Sequence, residues 1–392
     1  MPSHAMMTWL DSQLPRFLDD LRTFTAIDSG TYNPDGVNTI GSLMARRLTA
    51  LGCTINRYPC RDQRLGDSVI GTLRGTGRAR ILLSGHMDTV YPQGTAASRP
   101  LVIEEGQAIG PGTCDMKGGL LAGLYALEAL QLEGFSNFAE IIFFCNSDEE
   151  INSPCSEPGY LPLVRMADAA LVLEAGWPMA PLPYGALTVA RKAGGRFRLQ
   201  ITGIEAHAGS EFERGASATL ALARKIDDLA RLTGRWPGVT VNVGVIHGGV
   251  THNTVAGNAY AEVDVRVGRA EDVPEVEQAI RAIAERCDVG GTQGQLEGAF
   301  MMPAMEPVAS AWLAALAHRE AAALGFSLSE FVSGGTSDAS YMAAAGAPVL
   351  DGLGPVGAKD HSPAEYLLVD SIVPRTALLA RLIMAIARET QH

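Results

Sequence analysis

Ser84-Gly85-His86-Met87-Asp88-Thr89-Val90 places a histidine and a carboxylate two residues apart, directly after the apolar run Ile81-Leu82-Leu83. Residues i and i+2 at a strand end point the same way, so one can bind a metal while the other orients it. Asp115, the triplet Asp148-Glu149-Glu150, Glu174 and His361 stand at comparable points further on. Such a scattered set of histidines and carboxylates is the donor chemistry of a two-metal hydrolytic site. The triplet follows Ile141-Ile142-Phe143-Phe144-Cys145, and Glu174 follows Leu171-Val172-Leu173. Unpaired charge at the edge of an apolar core is expensive. A metal would neutralise one acid of the triplet and leave its neighbour poised as a general base toward water.

Each residue taken alone also has an ordinary reading. His86 can be a structural histidine, Asp115 a helix cap on the glycine-rich turn at 110–119, and Glu174 a salt-bridge partner. His361 and His207 can be surface histidines. The 110–119 segment lacks the GxxxxGK[ST] pattern, which makes phosphate the weaker ligand for it. His4, His247, His252, His318 and His392 receive no role.

These residues need a scaffold. Segments 80–84, 141–146 and 169–173 read as buried strands, and 117–132 as a helix. Near-continuous apolar strands alternating with helices predict an α/β domain, a mostly parallel sheet with helices on both faces. His86, Asp148 to Glu150 and Glu174 then fall just past strand carboxyl ends, where open α/β sheets place their sites. In the middle of the chain, strands at 195–201, 239–245, 260–267 and near 292–300 interleave with helices at 216–232 and 273–286. That order, β-α-β-β-α-β, is the order of a ferredoxin-like α+β sandwich. Helices at 308–324 and 371–388 return to the first style. The expected architecture is a catalytic domain built from 1–188 and 302–392, interrupted by an inserted domain over 189–301.

The 392 residues, 47% of them hydrophobic, suffice for two packed cores. A formal charge of −12 argues against nucleic acid and anionic membrane surfaces as partners. No apolar run reaches the ~18 residues of a membrane-spanning helix. Residues 1–30 carry Asp11, Asp19 and Asp20 and show no signal-peptide core, so the expected location is cytoplasmic. The six cysteines are dispersed, without CxxC spacing, and are expected as free thiols there. Cys53 and Cys60 are near enough in sequence to pair, though nothing demands it.

Segments 84–90, 112–119, 147–150 and 173–174 resemble those of the cocatalytic di-zinc exopeptidases and deacylases. That family includes glutamate carboxypeptidase, aminoacylase, acetylornithine deacetylase and succinyl-diaminopimelate desuccinylase. The motifs run in order along nearly the whole chain. Gly334-Gly335-Thr336-Ser337-Asp338 and His361 through Glu365-Tyr366 are similar to the bacterial glutamate carboxypeptidase branch.

The resemblance implies two Zn2+ ions, with Co2+ or Mn2+ as substitutes. His86, Asp115 and Glu174 would hold one; Asp115, Glu150 and His361 would hold the other. It further implies Asp88 as the orienter of His86, Glu149 as the general base, and a cis peptide after Asp115. The inserted domain would be a lid and dimerisation surface of a homodimer. There His207 would stabilise the oxyanion at a neighbouring subunit's site, while Asn253 and Arg266 would grip the substrate carboxylate. Gly334, Gly335 and Thr336 would line the pocket from the catalytic domain.

The implied activity is hydrolysis of the amide between an acyl or peptidyl group and a C-terminal amino acid with a free carboxylate. Met301 and Met302 stand where the folate-cleaving relatives carry a basic residue. An N-acyl-amino-acid deacylase preferring apolar or aromatic amino acids is therefore the alternative. A metal-dependent binding protein without catalysis is a remoter one. Asn152-Ser153-Pro154 and Cys114 also depart from the pattern, and Cys114 receives no role.

Overall fold

The computed structural model describes residues 2–390; His392 and the side chain of His4 lie outside that description. The chain forms two compact units. One comprises residues up to Ala190, Pro307–Val332 and the chain from Ser337; the other comprises Arg191–Glu306 and Ser333–Thr336.

The first unit is built on a six-stranded sheet. Its order is Thr54–Tyr58, Ser68–Arg74, Glu140–Asn146, Arg80–His86, Ala169–Val172 and Val349–Leu350. Arg80–His86 lies at its centre, parallel to both neighbours, with Leu83 level with Phe143 on one side and Leu171 on the other. Val349–Leu350 extends the parallel part, and the two strands at the opposite edge run antiparallel to their neighbours. Ile81, Leu82 and Leu83 are fully buried. Sequestering each such side chain stabilises by roughly 1.5–3 kcal/mol, which explains why the strand is apolar until its last residues. The helices Gly118–Leu132, Val369–Glu389 and Pro2–Thr25 pack together within the same core.

Gly118–Leu132 is apolar on nearly every face because it is enclosed, and it starts one residue later than expected, after a tight turn at Thr113–Lys117. Two further helices, Pro2–Thr25 and Pro34–Ala50, form the N-terminal part of this unit. Leu182–Arg191 pairs into a small sheet with Trp177–Met179 and Ser329–Ser333.

The second unit is a four-stranded antiparallel sheet in the order Thr240–Gly248, Asn258–Val267, Ala193–Thr202, Gln293–Met302. The helices Ala218–Ala230 and Val273–Glu285 supply the rest of its core. Along Ala193–Thr202 the buried residues Phe197, Leu199 and Ile201 alternate with exposed ones, as one covered face requires. The connectivity is that of a ferredoxin-like sandwich.

The unit limits differ from the expected 188/189 and 301/302, for a physical reason. Arg191 and Met305 exchange backbone hydrogen bonds of 2.9 and 3.0 Å, which carries the boundary to 306. The Arg191 guanidinium donates to the Gly335 and Thr336 carbonyls, which draws Ser333–Thr336 into this unit and out of the catalytic domain assigned to it above.

The cysteine expectation fails at one pair. Cys60 and Cys155 form a disulfide across a separation of 95 residues, with Cα atoms 5.5 Å apart. The fold brings the chain after Thr54–Tyr58 beside the segment around 153–156, a proximity that spacing along the sequence cannot show. Cys53, the partner suggested by spacing, is a buried free thiol, as are Cys114 and Cys145.

Candidate metal centre

Three neighbouring parallel strands end side by side, and His86, Glu149, Glu150 and Glu174 stand at or just past their carboxyl ends. His86 closes Arg80–His86 with its ring fully buried. Nδ1 donates to the Asp88 carbonyl at 2.9 Å, which turns Nε2 toward the acids. Nε2 lies 2.9 Å from Asp115 Oδ1, 3.6 Å from Glu174 Oε1 and 4.0 Å from Glu149 Oε2.

The Asp88 carboxylate is 3.4 Å from the imidazole and has further work. Its Oδ1 accepts from the Glu149 N–H at 3.1 Å, and its Oδ2 from the Glu150 N–H at 3.2 Å and the Thr31 hydroxyl at 2.7 Å. Asp88 thus ties the short turn Glu149–Ile151 to the strand end that bears His86.

Asp115 projects from the turn Thr113–Lys117, and its peptide bond to Met116 is cis. Its second oxygen, Oδ2, is 3.1 Å from His361 Nε2, which in turn is 3.2 Å from Glu150 Oε2. One carboxylate therefore offers one oxygen to each of two histidines. His361 comes from a loop, has a left-handed backbone with φ 59°, and keeps about half of its side chain (54%) exposed.

Of the acidic triplet, Asp148 turns inward and accepts from the Cys155 and Ser156 N–H groups and the Ser156 hydroxyl. Burial lifts its carboxyl to about 6. Beneath it, Asp338 accepts from Asn146 at 2.5 Å, Ser153 at 2.6 Å and Tyr160 at 3.0 Å.

The electrostatics match a centre crowded with like charge. Burial, then the charges of Glu174, Asp338 and Glu150, hold Glu149 well above the usual carboxylate range despite the opposing influence of His86. Burial and the charge of Asp115 bring Glu150 to about 7. Burial works against ionised Asp115, yet hydrogen bonds from His361 and His86 keep it below the ordinary range. Hydrogen bonds to Asp115 and Glu150 lift His361 to about 11. At His86 burial opposes the charge, but the bonds to Asp115 and Asp88 and the charge of Glu174 outweigh it and raise its pKa well above the usual value.

His86, Glu149 and Glu174, and likewise His86, Asp115 and Glu150, offer ligand atoms within 4.8 Å of one another. Asp115, Asp360 and His361 form a third such group, and Asp360 went unnoticed in the sequence because an exposed loop acid carries no signal. Glu150 Oε1 is buried without a hydrogen-bond partner. An orphaned carboxylate oxygen among oxygen and nitrogen donors is what a hard or borderline divalent cation would satisfy. The donor set fits the pair.

The remaining candidates lie in the second unit. His207 pairs with Thr254, and its Nδ1 accepts from the Gly209 and Ser210 N–H groups, both at 3.1 Å. The ring proton then sits on Nε2 and leaves it as a donor. The Asn253 carbonyl accepts from Ala208 N–H, next to His207, while its side-chain oxygen accepts from Thr251. Arg266 commits Nε and Nη2 to Asp264, each at 2.9 Å. A Cβ at Gly194 would come within 3.2 Å of Arg266 Nη1 and 3.1 Å of Thr336 Cγ2, so glycine leaves room between them. Met302 is buried opposite Gly194, and Met301, in the irregular register beside it, is half exposed.

Comparison with known proteins bears on the same segments. Residues 82–385 match the profile of peptidase family M20/M25/M40. Carboxypeptidase G2 of Pseudomonas sp. (strain RS-16) is 29% identical over 383 residues, covering 94% of this chain and 89% of that protein. Succinyl-diaminopimelate desuccinylase of Stenotrophomonas maltophilia (strain R551-3) is 27% identical over 365 residues, covering 87% and 92%. The crystal structure of aminopeptidase PepT from Bacillus cereus shares the fold with a TM-score of 0.77 at 23% identity, over 95% of this chain and 99% of that one. Because the matched profile runs from the strand bearing His86 past the His361 loop into the last helix, the chain belongs to peptidase family M20/M25/M40 and is a metallopeptidase-type hydrolase.

Proposed function

We propose that this hydrolase cleaves the amide bond between an acyl or peptidyl group and an amino acid with a free carboxylate, using two zinc ions. The observation that carries the reading is Asp115, one oxygen of which faces His86 and the other His361. His86, Asp115 and Glu174 would hold one ion, and Asp115, Glu150 and His361 the other; cobalt or manganese would also suit these donors. Bound there, the ions would supply Lewis acidity toward water and the scissile carbonyl. Glu149 takes a proton from the attacking water and delivers it to the departing amine nitrogen. Asp88 keeps Glu149 and His86 in register, its carboxylate accepting from the Glu149 N–H and its backbone carbonyl from His86 Nδ1.

Substrate contacts belong to the second unit in this proposal. It acts as a lid and as the contact surface of a homodimer. His207, with its proton on Nε2, donates to the developing oxyanion at a neighbouring subunit's site. Asn253 and the Nη1 edge of Arg266 receive the carboxylate, and Gly334, Gly335 and Thr336 line the pocket.

Two readings of the amino-acid preference remain distinct. Carboxypeptidase G2 favours the carboxypeptidase reading by likeness. Half-exposed Met301, in place of a cation, favours a deacylase for apolar or aromatic amino acids. Amine release from a panel of N-acyl and N-aminoacyl amino acids separates them. Glu149→Gln is expected to lower turnover by about 10²–10⁴-fold with both ions retained; near-normal turnover in that variant refutes Glu149 as the base.

A cytoplasmic location completes the proposal. No described helix is long and apolar enough to cross a membrane. The Cys60–Cys155 disulfide is the observation that opposes this location, because disulfides persist in oxidising compartments. Thiol trapping in freshly lysed cells decides it.

A further inference from the structure

Glu365 lies four residues beyond His361 with its side chain 1% exposed, directly behind the turn that bears Asp115. Its Oε1 accepts from the N–H groups of Cys114 at 2.9 Å and Asp115 at 3.1 Å. Its Oε2 accepts from the Gly112 N–H and the Tyr91 hydroxyl, both at 2.8 Å. Three backbone N–H groups from one turn converge on a single carboxylate, an anion-binding nest filled by the chain itself. Gly112, at φ 74°, supplies the left-handed residue that bends the turn this way.

Strand pairing fixes the approach. Tyr366 is level with Ile109 in an antiparallel ladder, and the Gly110 N–H donates to the Glu365 carbonyl at 3.3 Å. The segment from His361 to Glu365 therefore meets Asp115 at two points. His361 Nε2 faces its Oδ2 at 3.1 Å, and Glu365 Oε1 holds its N–H at 3.1 Å.

We propose that Glu365 is a positioning residue of the metal centre, clamping the Asp115 backbone in register with His361 so that each Asp115 oxygen meets its own histidine. The proposal rests on the metal-centre reading above. A residue that merely packs the loop would contribute to stability alone. A clamp also sets the field around the metals, and supports of this kind typically change metal affinity or activity by about 10–100-fold when altered. Glutamine is the discriminating replacement. It keeps the shape but turns an NH2 group toward N–H donors, which breaks the nest.

The test uses Co2+ alone as the probe, added to metal-free full-length protein. Glu365→Gln is expected to shift the visible cobalt absorption, to release cobalt to a chelator about 10–100-fold more readily, and to lower kcat with KM little changed. Glu365→Asp, which keeps the charge but not the reach, should fall between. A Glu365→Gln protein with wild-type cobalt spectrum and retention overturns the clamp, even if it melts earlier. Should that variant fail to fold, Tyr91→Phe decides, since it removes one of the four bonds and keeps the carboxylate. A shifted spectrum supports the clamp, and an unchanged one overturns it. Wild-type protein that takes up no cobalt overturns the metal-centre reading itself, and the clamp with it.

Discussion

The two histidines facing Asp115 arrive there by opposite means. His86 ends the central strand of a parallel sheet, fully buried, its ring fixed from behind by Asp88. His361 comes from a loop, half exposed, on left-handed backbone that it shares in kind with Lys359 at φ 61°. The strand-borne half, His86 with Glu149, Glu150 and Glu174, is placed by the sheet and its core, with Asp88 tying the Glu149–Ile151 turn to the strand end. The loop-borne half is placed by hydrogen bonds. The difference teaches that a single bridging carboxylate joins a part of the molecule set by global folding to a part set by local contacts.

The largest expected effect tests that contrast directly. In metal-free protein, His86→Ala leaves Asp88, Asp115 and Glu174 buried without their cation and should destabilise by about 3–5 kcal/mol. His361→Ala, removing a partly solvent-screened group, should destabilise by on the order of 1 kcal/mol. Denaturant unfolding measures both, and equal losses would break the comparison. A second effect, smaller, concerns the Glu149–Ile151 turn, which the Cys60–Cys155 bond tethers. Reduction should lower stability by about 2–4 kcal/mol and speed hydrogen exchange around 149–155, while exchange around 359–366 stays unchanged.

The smallest effect is a proton count. His361, lifted to about 11 by Asp115 and Glu150, is protonated at pH 7 in the metal-free protein and must be neutral to ligate. Metal uptake therefore releases protons, and affinity rises with pH by about tenfold per unit for each proton released. Calorimetry in buffers of different ionisation enthalpy should find about one proton fewer for His361→Ala than for the wild type. No difference would exclude His361 as a ligand.

Much of the strand-borne half is visible in the chain. Apolar runs that stop at His86, Asp148 and Glu174 announce both buried strands and charges at their ends, because a parallel sheet tolerates polar residues only at its margins. The β-α-β-β-α-β order of the second unit is legible for a similar reason, since alternation marks a sheet covered on one face. The loop-borne half is not. Glu365 looks like any loop acid until the Tyr366–Ile109 pairing sets it behind the Asp115 turn. Asp148 reads like its neighbours Glu149 and Glu150, and only the turn closed by Cys155 and Ser156 shows it facing inward. The Cys60–Cys155 pair and the attachment of Ser333–Thr336 to the second unit depend on distant chain meeting in space, which local pattern does not encode.

The disulfide has a topological consequence as well as an energetic one. It closes a covalent ring from 60 to 155, and His86, Asp88, Asp115, Glu149 and Glu150 all lie on that ring, while Glu174 and His361 lie on the tail that leaves it. A single cut within the ring severs the sequence without separating the pieces. The fragments part only on reduction, so a nicked molecule keeps most of its candidate ligands on one connected frame.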